Sequence, residues 1–222
     1  MAEFDAPLAK AAVLTHEARM ADLIETMKFD PLEGIPLVER HLTRMRDSAA
    51  ALGFAFDRHA ARNELQAATF RLRAGAAVRL LLARSGALAI EVAPLPAGAA
   101  RPLRVAIRPL PVARDDWRLR HRSSDRAFYD TARRDSGADE VVFAAPDGRL
   151  TEGSFTSLFV PRGDTLLTPA DEGLLPGVLR AALIEEGRAV PGDVTIADLA
   201  DGFLLGNAVC GLMPAVLVDA AG

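Results

Sequence analysis

Residues 21–34 fix how the chain must begin to fold. Leu23, Glu25, Met27 and Phe29 alternate with Ile24, Thr26 and Lys28, the two-residue period of a strand with one mixed face. Asp30-Pro31-Leu32-Glu33-Gly34 is a run of turn formers and predicts a hairpin into 35–38. The period then changes. Leu42, Met45, Ala49 and Leu52 recur at helical spacing over 39–52, and Gly53 stops that helix. A second helix is predicted over 58–72, with Leu65, Ala68 and Leu72 inward. Strands are predicted at 76–82 and 87–92, joined through Arg84-Ser85-Gly86, and at 103–110. The first half therefore reads as an α+β unit.

Residues 109–117 carry two prolines and no long apolar face, and read as a linker between domains at 1–108 and 118–222. Beyond it, the spacing predicts a helix over 125–135 and strands at 140–144, 150–155 and 158–160. A helix over 177–187 and short strands at 203–205 and 215–218 complete the second half. With 222 residues, half of them apolar, the chain can bury a substantial core. A net charge of −4 gives no electrostatic case for nucleic acid or an anionic membrane. No apolar run approaches the roughly 18–20 residues of a membrane span, and the first ten residues lack a secretory pattern. Cys210 is the single cysteine, which excludes an intrachain disulfide, fits a reducing cytoplasm and reads as a small buried apolar residue. His16, His41, His59 and His121 are not paired at metal-ligand spacing, so no metal site is expected.

Lysine is almost absent. Lys10 and Lys28 are the only two among 26 basic residues, so few side-chain amines are available for covalent chemistry. That scarcity matters because of what surrounds Arg122. The segment His121-Arg122-Ser123-Ser124-Asp125-Arg126-Ala127-Phe128-Tyr129-Asp130 leads on to Thr151-Glu152-Gly153-Ser154-Phe155-Thr156. Leu23-Ile24-Glu25-Thr26-Met27, then 35–45, and Leu205-Gly206-Asn207-Ala208-Val209-Cys210-Gly211 flank them. In order and nearly end to end, these blocks resemble the class IV (fold type IV) pyridoxal-phosphate enzymes. The resemblance implies a two-domain α+β fold of the D-amino acid aminotransferase-like type, with pyridoxal 5′-phosphate in the cleft between the domains, near 109–117.

The family's roles carry over position by position. Arg44 stands where an arginine reaches the cofactor phosphate, and a guanidinium fork suits phosphate oxygens. Glu152 stands where a carboxylate faces the pyridine nitrogen and keeps it protonated. Val178 and Leu179 open a helix after a glycine-containing loop, where backbone amides hold the phosphate. Asn207 stands where a polar residue approaches phosphate or substrate. Arg122 occupies the position of the lysine that forms the Schiff base. Arginine stays protonated and forms no stable imine, so the resemblance implies a cofactor held weakly or without a covalent bond, and altered catalysis.

Asp125-Arg126-Ala127-Phe128-Tyr129-Asp130 is most similar to the 4-amino-4-deoxychorismate lyase branch. That branch releases pyruvate and leaves 4-aminobenzoate, a folate precursor. In it Arg126 and Tyr129, with Arg120, are expected to meet the substrate. A class IV aminotransferase for branched-chain or D-amino acids, and a non-catalytic cofactor- or anion-binding homologue, are the alternatives. The resemblance also implies a small amino substrate, a homodimer and an aminodeoxychorismate synthase as a possible companion.

Overall fold

The computed structural model of the chain describes residues 21–96, 98, 101–170 and 174–218. Lys10, and residues 171–173 of the loop expected before the 177–187 helix, lie outside the described residues. The chain divides into two compact units. The first holds the residues up to Leu95 together with His121–Asp125, and the second holds Pro96–Arg120 and the residues from Arg126 onward.

In the first unit the order is β1 (Leu23–Phe29), α1 (Val38–Leu52), α2 (Arg58–Thr69), β2 (Ala76–Leu82) and β3 (Leu88–Pro94). The strands form one antiparallel sheet in the order β1-β2-β3. Leu23, Met27, Leu42, Met45, Leu65, Leu80 and Leu82 are buried in this unit. The hairpin partner expected at 35–38 is absent. Asp30 and Gly34 instead exchange backbone hydrogen bonds at 2.7 and 2.8 Å, and the Asp30 carboxylate accepts from the amides of Leu32 and Glu33. That tight loop satisfies itself locally, and Leu37, with φ at 58°, turns the chain into α1. Gly53 ends α1 at φ 71°, where a side chain would be strained, and its amide donates to Ala49. Asp57 caps α2 by accepting from the amides of His59 and Ala60 at 2.8 and 3.0 Å. This helix ends at Thr69, short of the expected 72, and the amide of Leu72 turns back to the Thr69 carbonyl.

His121–Asp125 runs along β1. The amide of Ile24 donates to the Arg122 carbonyl at 2.9 Å, and that of Ser124 to the Asp22 carbonyl at 2.8 Å. These bonds carry Arg122 into the first unit, whereas the sequence predicts it within a domain at 118–222.

The second unit contains β4 (Leu103–Pro109), α3 (Ala127–Ser136), β5 (Glu140–Ala144), β6 (Leu150–Gly153), β7 (Ser157–Arg162) and β8 (Thr165–Pro169). It continues through α4 (Val178–Glu185), β9 (Ala189–Gly192), β10 (Phe203–Asn207) and β11 (Gly211–Leu217). Its eight-stranded sheet runs β6-β5-β4-β11-β10-β7-β8-β9. β4 lies between β11 and β5 and is parallel to both. The expected boundary at 108/109 therefore falls inside a strand of this sheet, and the division comes at Leu95/Pro96 instead.

β8 and β9 are not predicted from the sequence. β8 is a five-residue strand just past the turn glycine Gly163, and β9 is an edge strand carrying Pro191 and Gly192, which an edge tolerates. Val105, Val142, Leu158, Phe203 and Leu205 share one buried cluster of this unit. Leu119, Tyr129, Val141 and Phe143 form another, and Phe159 and Leu183 a third.

Candidate active site

In the first unit a charged cluster sits in the core. Glu25 lies mid-strand on the face otherwise lined by Leu23, Met27 and Phe29, and is 1% exposed. His41 and Arg44, three residues apart on α1, both reach it. The Nε of Arg44 donates to Oε1 at 2.8 Å and its Nη2 to Oε2 at 2.6 Å, a bidentate fork. His41 Nδ1 lies 2.6 Å from Oε2. Burial raises the proton affinity of the Glu25 carboxyl, but Arg44 and His41 outweigh it and bring the pKa down to about 2. Burial holds His41 below its ordinary range, against the pull of Glu25. The pair is therefore an ionised carboxylate and a neutral imidazole that donates from Nδ1. Its Nε2 is buried with no hydrogen-bond partner, as is the Ser123 hydroxyl, on the segment that carries Arg122. Arg122 itself is half-buried. His121 Nδ1 lies 3.0 Å from the Ser48 hydroxyl.

In the second unit Glu152 is the third residue of β6 and is 8% exposed. The Tyr129 hydroxyl, from α3, donates to its Oε1 at 3.0 Å. Arg126 lies with its guanidinium 4.8 Å over the Tyr129 ring and also donates to the Ser154 carbonyl. Glu152, Ser157, Leu174 and Arg180 line one small pocket. Arg180 is buried and donates to the Thr168 hydroxyl at 3.2 Å and the Pro169 carbonyl at 2.6 Å. Gly177 caps the start of α4 with no side chain of its own to offer. A Cβ there would stand 2.6 Å from the Ser157 hydroxyl, so any side chain would force that hydroxyl to turn away. The first helical bond runs from Ala181 to Gly177, which leaves the amides of Val178 and Leu179 ahead of the helix ladder.

Asn207 serves the β10–β11 turn. Its Oδ1 accepts from the amides of Val209 and Cys210, each at 2.9 Å, and its Nδ2 donates to the Phe155 carbonyl at 3.3 Å. Cys210 is exposed at the tip of that turn, where the sequence predicts a buried residue.

Glu140 carries no motif that marks it in the sequence. It is fully buried and gathers the turn after β6. It accepts from the amides of Val141, Ser154 and Phe155 and from the hydroxyls of Ser154 and Thr156. Burial pushes its pKa up, against those donors. An acid opening the buried strand Glu140–Ala144 is the one signal that could have found it. The turn has no room to spare, since a Cβ on Gly153 would overlap Thr156 Oγ1 and stand 3.1 Å from Glu140 Oε2. Gly153→Ala is expected to cost about 1–3 kcal/mol of stability, measured by urea unfolding.

The model of the class IV aminotransferases matches residues 22–218. The chain belongs to the class IV aminotransferase family. No curated protein sequence matches it. Its fold is that of a candidate amino-acid aminotransferase from Mesorhizobium loti, at 37% identity over 89% of this chain and 100% of that one, with a TM-score of 0.82. A candidate 4-amino-4-deoxychorismate lyase from Legionella pneumophila aligns at 20% identity over 89% and 83% of the two chains, with a TM-score of 0.78. A hypothetical aminotransferase from Mycobacterium tuberculosis in a pyridoxal-phosphate-bound form aligns at 23% identity over 92% and 83%, with a TM-score of 0.78. Class IV aminotransferases depend on pyridoxal phosphate.

The residues present are compatible with that cofactor. A buried acid, a glycine whose Cβ would crowd Ser157 and helix-start amides outside the helix ladder are features that suit a ring nitrogen and a phosphate. Among the described residues no helix is long and apolar enough to cross a membrane, and no cluster of His, Cys, Asp and Glu is fit to hold a metal ion.

Proposed function

We propose that this chain binds pyridoxal 5′-phosphate and is a 4-amino-4-deoxychorismate lyase-like protein whose catalysis is curtailed by Arg122. The observation that carries the cofactor half is Glu152. A buried carboxylate anchored by a tyrosine hydroxyl is a fit partner for a protonated ring nitrogen. Bound, pyridoxal phosphate supplies an electron-accepting ring. Glu152 would keep the ring nitrogen protonated. The amides of Val178 and Leu179 would take phosphate oxygens, helped by the helix dipole. Asn207 would hold the β10–β11 turn beside them. Arg44 would add positive charge, although its fork is shared with Glu25. Arg122 keeps the positive charge of the family lysine and cannot take up a proton at neutral pH.

Arg126-Ala127-Phe128-Tyr129-Asp130 favours the lyase branch, which carries with it a small amino substrate, pyruvate release, 4-aminobenzoate supply, a homodimer and an aminodeoxychorismate synthase companion. The 37% identity to the Mesorhizobium loti protein favours a second reading, amino-group transfer. Arg122 favours a third, a homologue that binds the cofactor or an anion and turns nothing over.

Titration of the purified protein with pyridoxal phosphate, then borohydride reduction and mass mapping, tests the first step. Saturable binding without an adduct is expected, and Glu152→Gln should weaken it about tenfold or more, the loss of a charge-assisted hydrogen bond. Absence of binding at any concentration would end the cofactor reading. Pyruvate release from aminodeoxychorismate, against amino exchange with a keto acid, separates lyase from aminotransferase.

A further inference from the structure

Gly177 opens α4 without a cap side chain, and the place such a side chain would take is approached from another element. Ser157, on β7, is 9% exposed. From the Cβ that Gly177 lacks, its Oγ stands at 2.6 Å and its Cβ at 3.9 Å, so the C–O bond points at that spot. The same spot lies 3.4 Å from the Cβ of Arg180, in the first turn of α4. The hydroxyl thus overhangs the helix start, yet it bonds to none of the described residues. We propose that Ser157 is a phosphate ligand, its hydroxyl donating to the same oxyanion as the amides of Val178 and Leu179. That this oxyanion is the cofactor's phosphate rests on the reading above. That the three donors share an oxyanion does not.

An N-cap oxygen ordinarily accepts from the second or third amide of its helix and satisfies that donor. Here the oxygen comes from a neighbouring strand and stops short of that bond. The amides of Val178 and Leu179 lie ahead of the helix ladder, and the helix dipole adds positive potential. A serine hydroxyl can donate as well as accept. Three donors at one place call for an acceptor, and a phosphate monoester offers several charged oxygens.

The surroundings converge on the same point. Gly206 of β10 is the register partner of Ser157, and Asn207 follows it. A Cβ on Gly206 would stand 3.0 Å from the Leu179 side chain, so α4 and β10 are in close contact there. α4, β7 and β10 all belong to the second unit. Ser157 and Glu152 line one pocket, and Arg180, held by Thr168 and Pro169, adds positive charge to it.

The test is equilibrium titration of the full chain with pyridoxal phosphate, inorganic phosphate and pyridoxal, the last of which lacks the phosphate. Ser157→Ala removes the hydroxyl alone. Gly177→Ala pushes it aside, and the backbone angles of −58° and 126° at that residue suit alanine. Ser157→Ala is expected to weaken pyridoxal phosphate and inorganic phosphate about tenfold or more, the worth of a hydrogen bond to a charged group, and to leave pyridoxal unchanged. Gly177→Ala should do the same alone and add little on top of Ser157→Ala, because both delete one contact.

Unchanged phosphate affinities in Ser157→Ala overturn the proposal. So does an equal loss for pyridoxal, which would assign the hydroxyl to the ring or to the fold. A lower urea midpoint with phosphate affinity intact would make Ser157 a helix cap only, and overturns it too. Ser157-dependent binding of inorganic phosphate without binding of pyridoxal phosphate would keep the oxyanion site and discard the cofactor reading. If neither phosphate nor pyridoxal phosphate binds, both readings fall.

Discussion

Arg122→Lys is expected to turn non-covalent cofactor binding into a borohydride-reducible attachment at residue 122 and to raise turnover by about 10²- to 10⁴-fold, the usual worth of a positioned proton-transfer group. The backbone at this point is already held, because the Arg122 carbonyl accepts from Ile24 and Ser124 is paired with Asp22. The substitution therefore changes the side chain's chemistry and leaves the segment in place. Arginine cannot shuttle protons near neutrality, whereas an amine brought close to other cations can be deprotonated enough to act. Mass mapping after reduction locates the adduct and separates residue 122 from Lys28, the other described lysine-bearing position. Pyruvate release assigns the gain to the lyase branch. An Arg122→Lys protein that binds the cofactor, forms no adduct and shows no pyruvate release or amino exchange would remove the main support for a catalytic lineage.

Glu25→Gln is expected to cost about 3–5 kcal/mol of folding stability, because it leaves the Arg44 guanidinium buried without its counter-charge. Typical domains have only about 5–15 kcal/mol in total, so the variant should unfold at much lower urea concentration. The same pair gives a pH signature. The folded carboxyl of Glu25 titrates at about 2 against an ordinary value of 4.5. Its folded pKa is depressed, so its contribution, roughly 3 kcal/mol, is complete above about 4.5 and is lost as pH falls toward 2. His41 is also depressed, by burial, so the unfolded chain takes up its proton first as pH drops below 6.5, and stability declines from there. Urea midpoints measured from pH 7 down to 3 should fall in the native chain and fall less in Glu25→Gln. Parallel slopes for the two proteins would show that this cluster does not govern acid sensitivity.

Much of the fold is legible because local signals coincide with tertiary need. Gly53 after a helical run, the short apolar run Ala76–Leu82 and the Arg84-Ser85-Gly86 turn each say the same thing locally and globally. The failures have physical causes. Residues 35–38 look like a returning strand, but the Asp30 side chain closes a turn that needs no partner. β9 carries Pro191 and Gly192 and exists because a parallel neighbour, β8, supplies its pairing. The strand over 103–109 is legible in place but falls in the other unit, since its partners lie far along the chain.

Family pattern identifies the candidate site residues, but it does not give their mutual geometry. Glu25 is visible as an acid on an apolar strand face, yet nothing in the spacing ties it to His41 or Arg44. Tyr129 and Glu152 stand 23 residues apart, and only the packing of α3 brings them together. Glu140 makes its contacts through turn amides that no side-chain motif encodes.

The position of β4 between β5 and β11 sets a schedule for synthesis. β5 is made well before β11, whose register partners for Leu103 and Val105 are Ala215 and Leu217. At roughly 5–20 residues per second, a ribosome needs on the order of 5–20 s to supply them. Through that interval one edge of β4 is an unpaired parallel template, open to other strands. The second unit is therefore a late closer, most vulnerable to aggregation while the chain is still being made, and a chaperone would have its greatest effect at that stage.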